Sequence, residues 1–302
     1  MNYLFFDLSV SLARWWRQAF SLRGSVVPEA LPRALVCGVF GVAVSALYEQ
    51  GFTQLHLPFL GSLVPNLVLG LLLVFRTNTA YDRYWEGRKA WGSIINAVRN
   101  LARHIWVAVY EREESDRPQK QQALRWLVAF ARATKQYLRQ EPLDEDLAGL
   151  ITTAQYQQLQ QVNHPALEVA FWLGDYLQHQ YERECLNIYQ LNTAQTLLNQ
   201  LVDNLGVCER IKRTPVPLAY AIHLKQLLVM YCFSLPFQTV EALHWATGPV
   251  TALIGFTLLG VEEIAVQIED PFGRDPNDLP LDAICQVMLR NIEDLMALPP
   301  TK

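Results

Sequence analysis

The sequence predicts an all-α membrane protein with four spans and a large cytoplasmic helical region. Three observations predict this fold class. The chain contains four apolar runs of membrane-helix length, the region between the second and third runs shows helical rather than alternating periodicity, and Lys and Arg gather at one end of the runs. Charged residues make up only 18% of the 302 residues, against about 25% in a typical soluble domain.

The chain is expected to form a single unit, 1–302, built from five consecutive parts. In order, these are an N-terminal interfacial helix (1–25), the first and second membrane spans (26–75), a cytoplasmic helical region (76–214), the third and fourth spans (215–268), and an acidic loop with a C-terminal helix (269–302). The N-terminal part combines aromatic residues and leucines with arginines, which is typical of a helix at a membrane surface. A helix packed on the body of the protein has the same composition, so both interpretations stay open.

The distribution of basic residues predicts the topology. The links Glu49–His56 and Thr239–Thr247 contain no Lys or Arg. The opposite ends of the runs carry many, namely Arg14, Arg17, Arg23, Arg33, Arg76, Arg83, Arg88, Lys89, Arg210, Lys212 and Arg213. Because cytoplasmic loops are enriched in Lys and Arg, a multi-pass protein with both termini and the middle region in the cytoplasm is expected.

Composition and motifs exclude several classes of function. The formal net charge of -4 does not favour a nucleic-acid partner. The five cysteines are scattered and lack CxxC spacing, which indicates buried thiols rather than a zinc site or a disulfide framework. No phosphate-binding, dinucleotide-binding, zinc-protease or hydrolase signature is present, so the chain is not expected to be an enzyme or to require a cofactor.

Leu67, Leu71 and Phe75 follow one another at four-residue spacing in the second apolar run. In a helix this spacing stacks one side chain per turn on a single face. Such a file could line a narrow passage, because the run continues without a strong breaker into a polar segment. Spacing alone favours ordinary contact with lipid or with another helix, since membrane helices are apolar all round.

Polar residues inside the spans are functional candidates because burying them in lipid is costly. The clearest cases are His223 and Lys225, and Lys225 is expected to snorkel or to pair with Glu262 or Glu263. The stretch RTNTAYDRYWEGRKAW that follows the second run is rich in hydrogen-bonding and stacking groups. It could bind an anion or a lipid head group, or it could form a buried network between helices, and composition does not decide.

The same stretch carries a family resemblance. RTNTAYDRYWEGRKAW, followed by VRNLAR, closely resembles the signature of bestrophin channels in their bacterial and plant-thylakoid branch. CERIKRTPVPLAYAIHL before the third run, the order of the four spans and IEDPFGRDPNDLPLD after the fourth run agree with it. The resemblance covers nearly the whole chain, and its first and last motifs are long and specific.

The resemblance implies a homopentameric channel with a central pore, through which ions flow passively across the membrane. It places the family's narrow apolar neck on Leu67, Leu71 and Phe75, the file that helical spacing also picks out. Chloride is the expected permeant ion, with bicarbonate as a second one. The protein itself is expected to contact membrane lipid. Some bacterial members conduct sodium instead, so a cation-selective channel is the alternative. The expected location is a bacterial inner membrane or a thylakoid membrane.

The resemblance also implies two accessory sites. The calcium clasp of animal bestrophins would fall on Gln267, Asp270, Asp275 and Asp278, with a backbone carbonyl near Val10. Asp270 replaces the family's Asn, Arg274 replaces an acidic neighbour and Pro276 interrupts the acidic run. A solvated turn that caps the next helix explains the same acidic residues on spacing alone. A constriction at the cytoplasmic exit would fall on Asn192, whose polar side chain departs from the family's apolar pattern.

A different class of protein stays open beside the channel. A membrane-embedded binding or scaffolding protein could hold a lipid or a partner against the Lys and Arg residues at the ends of the apolar runs. Such a protein would not need five subunits.

Overall fold

The computed structural model describes residues 15–57 and 63–299, without the side chains of residues 63–65. The described residues are 81% helical and contain no strand, which confirms the all-α prediction. After a helical segment at 15–19, the helices are α1 (Val27–Glu49), α2 (Leu63–Ala108), α3 (Asp116–Arg139), α4 (Glu145–Ala148), α5 (Thr153–Gln161), α6 (Pro165–Glu182), α7 (Ile188–Arg213), α8 (Leu218–Leu243), α9 (Thr247–Glu269) and α10 (Leu281–Ala297). Short 3₁₀ turns lie at Thr53–Leu55 and His244–Ala246.

The chain divides into two compact units. Unit 1 comprises Met1–Asp82, Pro215–Glu269 and Asp275–Asn277, and unit 2 comprises Arg83–Thr214, Asp270–Arg274 and Asp278–Lys302. The long helix α2 contributes its first part to unit 1 and the remainder to unit 2. Most of the predicted N-terminal helix lies outside the described residues.

Unit 1 is built from α1, α8, α9 and the first part of α2. By length and mean hydropathy, two described segments could cross a membrane, namely Val27–Glu49 and the 52-residue segment Leu218–Glu269, which contains α8 and α9. The first part of α2 does not reach that criterion. Its apolar run begins at Leu57, and residues 58–62 lie outside the described part of the chain.

Small residues let α1 and α9 approach closely. A Cβ atom added to Gly41 would lie 2.9 Å from the Cα of Gly248, and one added to Gly38 would lie 2.8 Å from the Cβ of Ala252. Small residues at a helix crossing are typical of membrane proteins, where close van der Waals packing replaces the hydrophobic effect as the source of association. This crossing fixes α9 against α1.

Unit 2 has a large apolar core made by α3, α6, α7, α10 and the second part of α2. Trp91, Ile94, Val98 and Leu101, which lie at helical spacing on α2, are fully buried. The same is true of four α3 residues, Leu124, Leu127, Val128 and Phe130. In α6, Leu173 and Leu177 are buried, whereas Leu167 and Phe171 are exposed. The apolar face of α6 is therefore wider than the core that it covers.

Asp116 anchors the first turn of α3. Its Oδ2 accepts hydrogen bonds from the backbone N–H groups of Arg112 (2.8 Å) and Glu113 (3.0 Å), and its Oδ1 accepts one from the Arg183 guanidinium (2.6 Å). The bond from Arg183 is the main reason that the pKa of this carboxyl falls to about 2. Asp116 thus stays ionised and ties the start of α3 to the end of α6.

The close crossing predicts that Gly41→Ala destabilises the protein. The added methyl group must push α1 away from the Gly248 backbone, and overpacking of this kind costs about 1–3 kcal/mol. A lower unfolding temperature in detergent is the expected result. Gly206→Ala is the matched control, because Gly206 lies in helix α7 and an added Cβ would meet no atom within 4 Å beyond its chain neighbours and the backbone of its own helix. There the higher helix propensity of Ala should leave the unfolding temperature unchanged or raise it. Equal unfolding temperatures for the two variants would contradict the close crossing.

Candidate functional site

The apolar file on α2 points away from the core of unit 1. Leu67, Leu71 and Phe75 are 67%, 53% and 55% exposed in the single chain. On the other side of the same helix, Leu69 and Leu73 are 5% exposed. These two leucines pack in a cluster with Leu224, Leu228 and Leu259. The helix therefore has one apolar face that is buried within the chain and a second apolar face that the chain leaves exposed.

A buried ion pair holds α2 in this rotation. The Arg76 side chain is 3% exposed, and its Nη2 donates to Glu269 Oε2 at 2.5 Å. The other carboxylate oxygen, Glu269 Oε1, accepts from the backbone N–H of Val216 at 2.9 Å. One turn earlier on α2, the Leu72 carbonyl accepts from the Tyr220 hydroxyl at 3.0 Å. Because Arg76 directly follows Phe75, these bonds set the direction of the file.

The polar stretch that follows the file forms bonds between helices. In unit 2, the Arg83 guanidinium donates to the backbone carbonyls of Ile211, at 2.7 Å, and of Thr214. Glu86 accepts from the guanidinium of Arg210 in the same region. These bonds join α2 to the end of α7. For Arg83 and Glu86 the structure thus favours the network between helices, one of the two interpretations that composition left open.

Lys225 and His223, the polar residues of the third apolar run, are both exposed in the single chain. Lys225 is 57% exposed at its side chain, and its Nζ lies 3.8 Å from Glu262 Oε1, which confirms the predicted pairing. Glu263, the other candidate, pairs with Arg33 at 2.7 Å instead. His223 is exposed. Glu262 and Glu263 thus each have a cationic partner within unit 1.

The residues of the predicted calcium clasp are divided between the two units. In unit 1, Gln267 Oε1 accepts from Asn277 Nδ2 at 2.8 Å. In unit 2, Asp270 Oδ2 accepts from Lys212 Nζ at 2.6 Å. Asp275 belongs to unit 1 and Asp278 to unit 2.

Calcium binds six to eight oxygen ligands, whereas the Gln267 amide and the Asp270 carboxylate already have protein partners. Over residues 15–57 and 63–299, no group of three or more His, Cys, Asp or Glu residues could hold a metal ion. Val10 lies outside the described residues. The calcium clasp stays a prediction.

Asn192 is exposed in the second turn of α7, and its backbone carbonyl accepts from the Thr196 hydroxyl at 2.8 Å. The start of α7 is well fixed, because Asn187 and Gln190 form a reciprocal capping box. Asn192 as a cytoplasmic constriction stays a prediction.

The Arg76–Glu269 pair is the contact at this site that the sequence did not reveal. Its two members are 193 residues apart. A signal was present all the same, because both residues stand at the junction between an apolar run and a polar motif. Ionisable groups at such positions need partners of opposite charge.

Comparison with known proteins agrees with the sequence resemblance. A family model described as bacterial/fungal bestrophin protein matches residues 9–294. A voltage-dependent anion channel-forming protein of Nostoc is 60% identical over 97% of this chain and 95% of its own length. A protein of the same description from Escherichia coli is 34% identical over 91% of this chain and 89% of its own length.

Solved structures give the same result. A single-residue variant of a bestrophin homologue from Klebsiella pneumoniae superimposes with a TM-score of 0.81 at 28% identity, covering 89% of this chain and 99% of that one. Another structure, described as a membrane protein, also reaches a TM-score of 0.81 and covers 91% of this chain and 100% of that one. This chain is an integral membrane protein, and it belongs to the bacterial and fungal bestrophin family.

Proposed function

We propose that this chain is one subunit of a homopentameric channel that lets ions flow passively across a membrane. The channel is selective for anions, with chloride first and bicarbonate second. Its gate is the neck formed by Leu67, Leu71 and Phe75 of the five subunits. Family membership points to a channel rather than to an enzyme.

One observation carries the proposal. The α2 file is exposed in a chain whose similar proteins from Nostoc, Synechocystis and Escherichia coli are described as anion channel-forming. A large apolar surface that the chain itself does not cover indicates a partner surface, a lipid contact or a pore lining. Because α2 is one continuous helix of 46 residues, it can carry a pore lining from apolar into polar surroundings without a break.

The neck would gate by its wetting. Five copies of each side chain form three stacked apolar rings, and an ion that enters them sheds water without gaining replacement ligands. A dry neck is closed and a wetted neck conducts. Apolar rings carry no preference for either sign of charge, so the anion selectivity rests on the similarity to anion channel-forming relatives.

Helix lengths support the proposed topology of four spans. α1 and α9 have 23 residues each and α8 has 26, and at 1.5 Å per residue each exceeds the roughly 30 Å of a bilayer core. With the second run as the remaining span, both termini and the middle region lie in the cytoplasm. The membrane is a bacterial inner membrane or a thylakoid membrane.

The sign of the permeant ion is tested by reconstitution. The purified protein is placed in a planar bilayer with a tenfold KCl gradient, and the reversal potential is measured. We expect a reversal potential close to the chloride equilibrium potential, because the pore passes anions. A value close to the potassium equilibrium potential would replace the anion channel with a cation channel, and a sodium gradient then tests sodium conduction directly.

The neck is tested by the triple variant Leu67→Ala, Leu71→Ala, Phe75→Ala. Smaller side chains widen the rings and let water enter more easily, so a severalfold larger current than that of the wild type is expected in the same bilayer.

The matched control is Leu31→Ala, Leu35→Ala, Val39→Ala. These residues form an exposed apolar file on α1 with the same four-residue spacing, and they are 42%, 53% and 70% exposed. The control should leave the current per channel unchanged, because its file is not part of the proposed neck. A larger current in both variants would show that the effect is not specific to the neck. Absence of current in the wild type and in the neck variant would count against any channel.

The subunit number is tested by native mass spectrometry of the detergent-solubilised protein. We expect a mass five times 34.5 kDa, because a central pore lined by one helix per chain needs several chains to close. A monomer or dimer would contradict the pentamer and favour the membrane-embedded binding or scaffolding protein.

A further inference from the structure

The apolar file on α2 has a counterpart further along the same helix. An α-helix has about 3.6 residues per turn, so positions 18 residues apart are separated by about five full turns and lie on the same side. α2 is one α-helix from Leu63 to Ala108. The residues 18 positions after the three members of the file are Trp85, Lys89 and Ser93. All three are exposed in the single chain, so the exposed side of α2 continues from the file into the polar part of the helix.

Lys89 is an unpaired cation on this side of α2. Its side chain is exposed and has no hydrogen bond or ion pair with the described residues. Arg99 of the same helix, in contrast, donates to Asn291 Oδ1 at 2.9 Å. Within unit 2, Glu86 is the one acidic residue of α2, and it already accepts from the Arg210 guanidinium. The ammonium group of Lys89 is therefore free to act on ions in solution.

Two more charged residues fall on the same side. Arg103 lies 18 positions after Trp85, and Asp82 lies 11 positions after Leu71, which is about three turns. Both are exposed and, like Lys89, they have no partner among the described residues. Beyond the file, this side of each chain thus carries two positive charges and one negative charge that the described residues leave unpaired.

The neck itself has no charge with which to distinguish anions from cations. Rings of Lys or Arg side chains favour anions in pores, because they raise the local concentration of anions and repel cations. Salt screens a charge over about 8–10 Å, so such a ring must lie beside the path that the ions take. Lys89 meets this condition if α2 lines the path, because it follows Leu71 by five turns on the same side.

We propose that Lys89 makes the channel selective for anions. Five copies of its side chain form a ring of positive charge on the cytoplasmic side of the neck, and chloride collects there before it enters the apolar rings. Arg103 adds to this field further from the neck, and Asp82 opposes it. The inference rests on the proposed pentameric channel with α2 as its lining, and it adds the residue that determines the sign of the permeant ion.

The Lys89→Gln variant tests the proposal in the planar bilayer with a tenfold KCl gradient. Loss of the positive ring should lower the ratio of chloride to potassium permeability about threefold or more. Asp82→Asn removes the opposing carboxylate, so this variant should raise the same ratio. An unchanged ratio in Lys89→Gln, with an anion current in the wild type, would overturn the role of Lys89 and leave the anion channel in place.

The control variant is Arg88→Gln. Arg88 is also an exposed cation without a partner among the described residues. It directly precedes Lys89, and one position along a helix is a rotation of about 100°, so Arg88 lies off the side that carries the file. Its removal should leave the permeability ratio unchanged. An equal fall in Arg88→Gln and Lys89→Gln would assign the effect to the general charge of the surface and would overturn the proposal.

Chemical restoration of the charge gives a second test that does not depend on comparing variants. The ratio should fall in Lys89→Cys and should return towards the wild-type value after treatment with 2-aminoethyl methanethiosulfonate, which attaches an ammonium group to the new thiol through a disulfide bond. Methyl methanethiosulfonate attaches a neutral group and should not restore the ratio. The five native cysteines are buried, so the treated wild type should keep its ratio. Equal effects of the two reagents on Lys89→Cys would overturn the proposal.

The wild-type recording separates failure of this inference from failure of the proposed function. Absence of current in the wild type would overturn the channel and the role of Lys89 together. A cation-selective wild type would overturn the anion channel, and a cationic selectivity ring at Lys89 with it. An anion-selective wild type whose ratio does not respond to the charge at position 89 would overturn this inference alone.

Discussion

The buried pair between Arg76 and Glu269 is the interaction on which the candidate pore lining depends. A guanidinium taken out of water is tolerated only with a partner of opposite charge, and losing one member of a buried pair typically costs about 3–5 kcal/mol. Glu269 also accepts the Val216 N–H, so a single carboxylate ties together the end of α9, the start of α2's polar part and the chain before α8. With this pair in place, Leu69 and Leu73 turn inward and the neighbouring file turns outward.

Exposure alone does not distinguish a pore lining from a lipid-facing surface. α1 presents Leu31, Leu35 and Val39 at the same spacing as the file on α2. The two helices differ at their C-terminal ends. α1 ends at Glu49 in a short link without Lys or Arg, whereas α2 continues as an unbroken helix into unit 2. A helix that changes from apolar to polar along one length is suited to line a passage from membrane to cytoplasm.

The polar groups between segments stabilise the fold of this chain. Arg83, Glu86 and Asp116 each bond to a residue of another segment. Since native proteins rarely leave buried polar groups without partners, satisfied networks of this kind indicate a structural role.

The sequence by itself determined the helical class and the spacing of Leu67, Leu71 and Phe75. These features follow from the 3.6-residue period, which is local and can be read along the chain. Only the tertiary structure decided that Glu269 is the partner of Arg76, that Gly41 meets Gly248, and that Leu167 and Phe171 of α6 stay exposed. Those outcomes depend on how segments far apart in sequence pack together, and a local period carries no information about the partner that a face will meet.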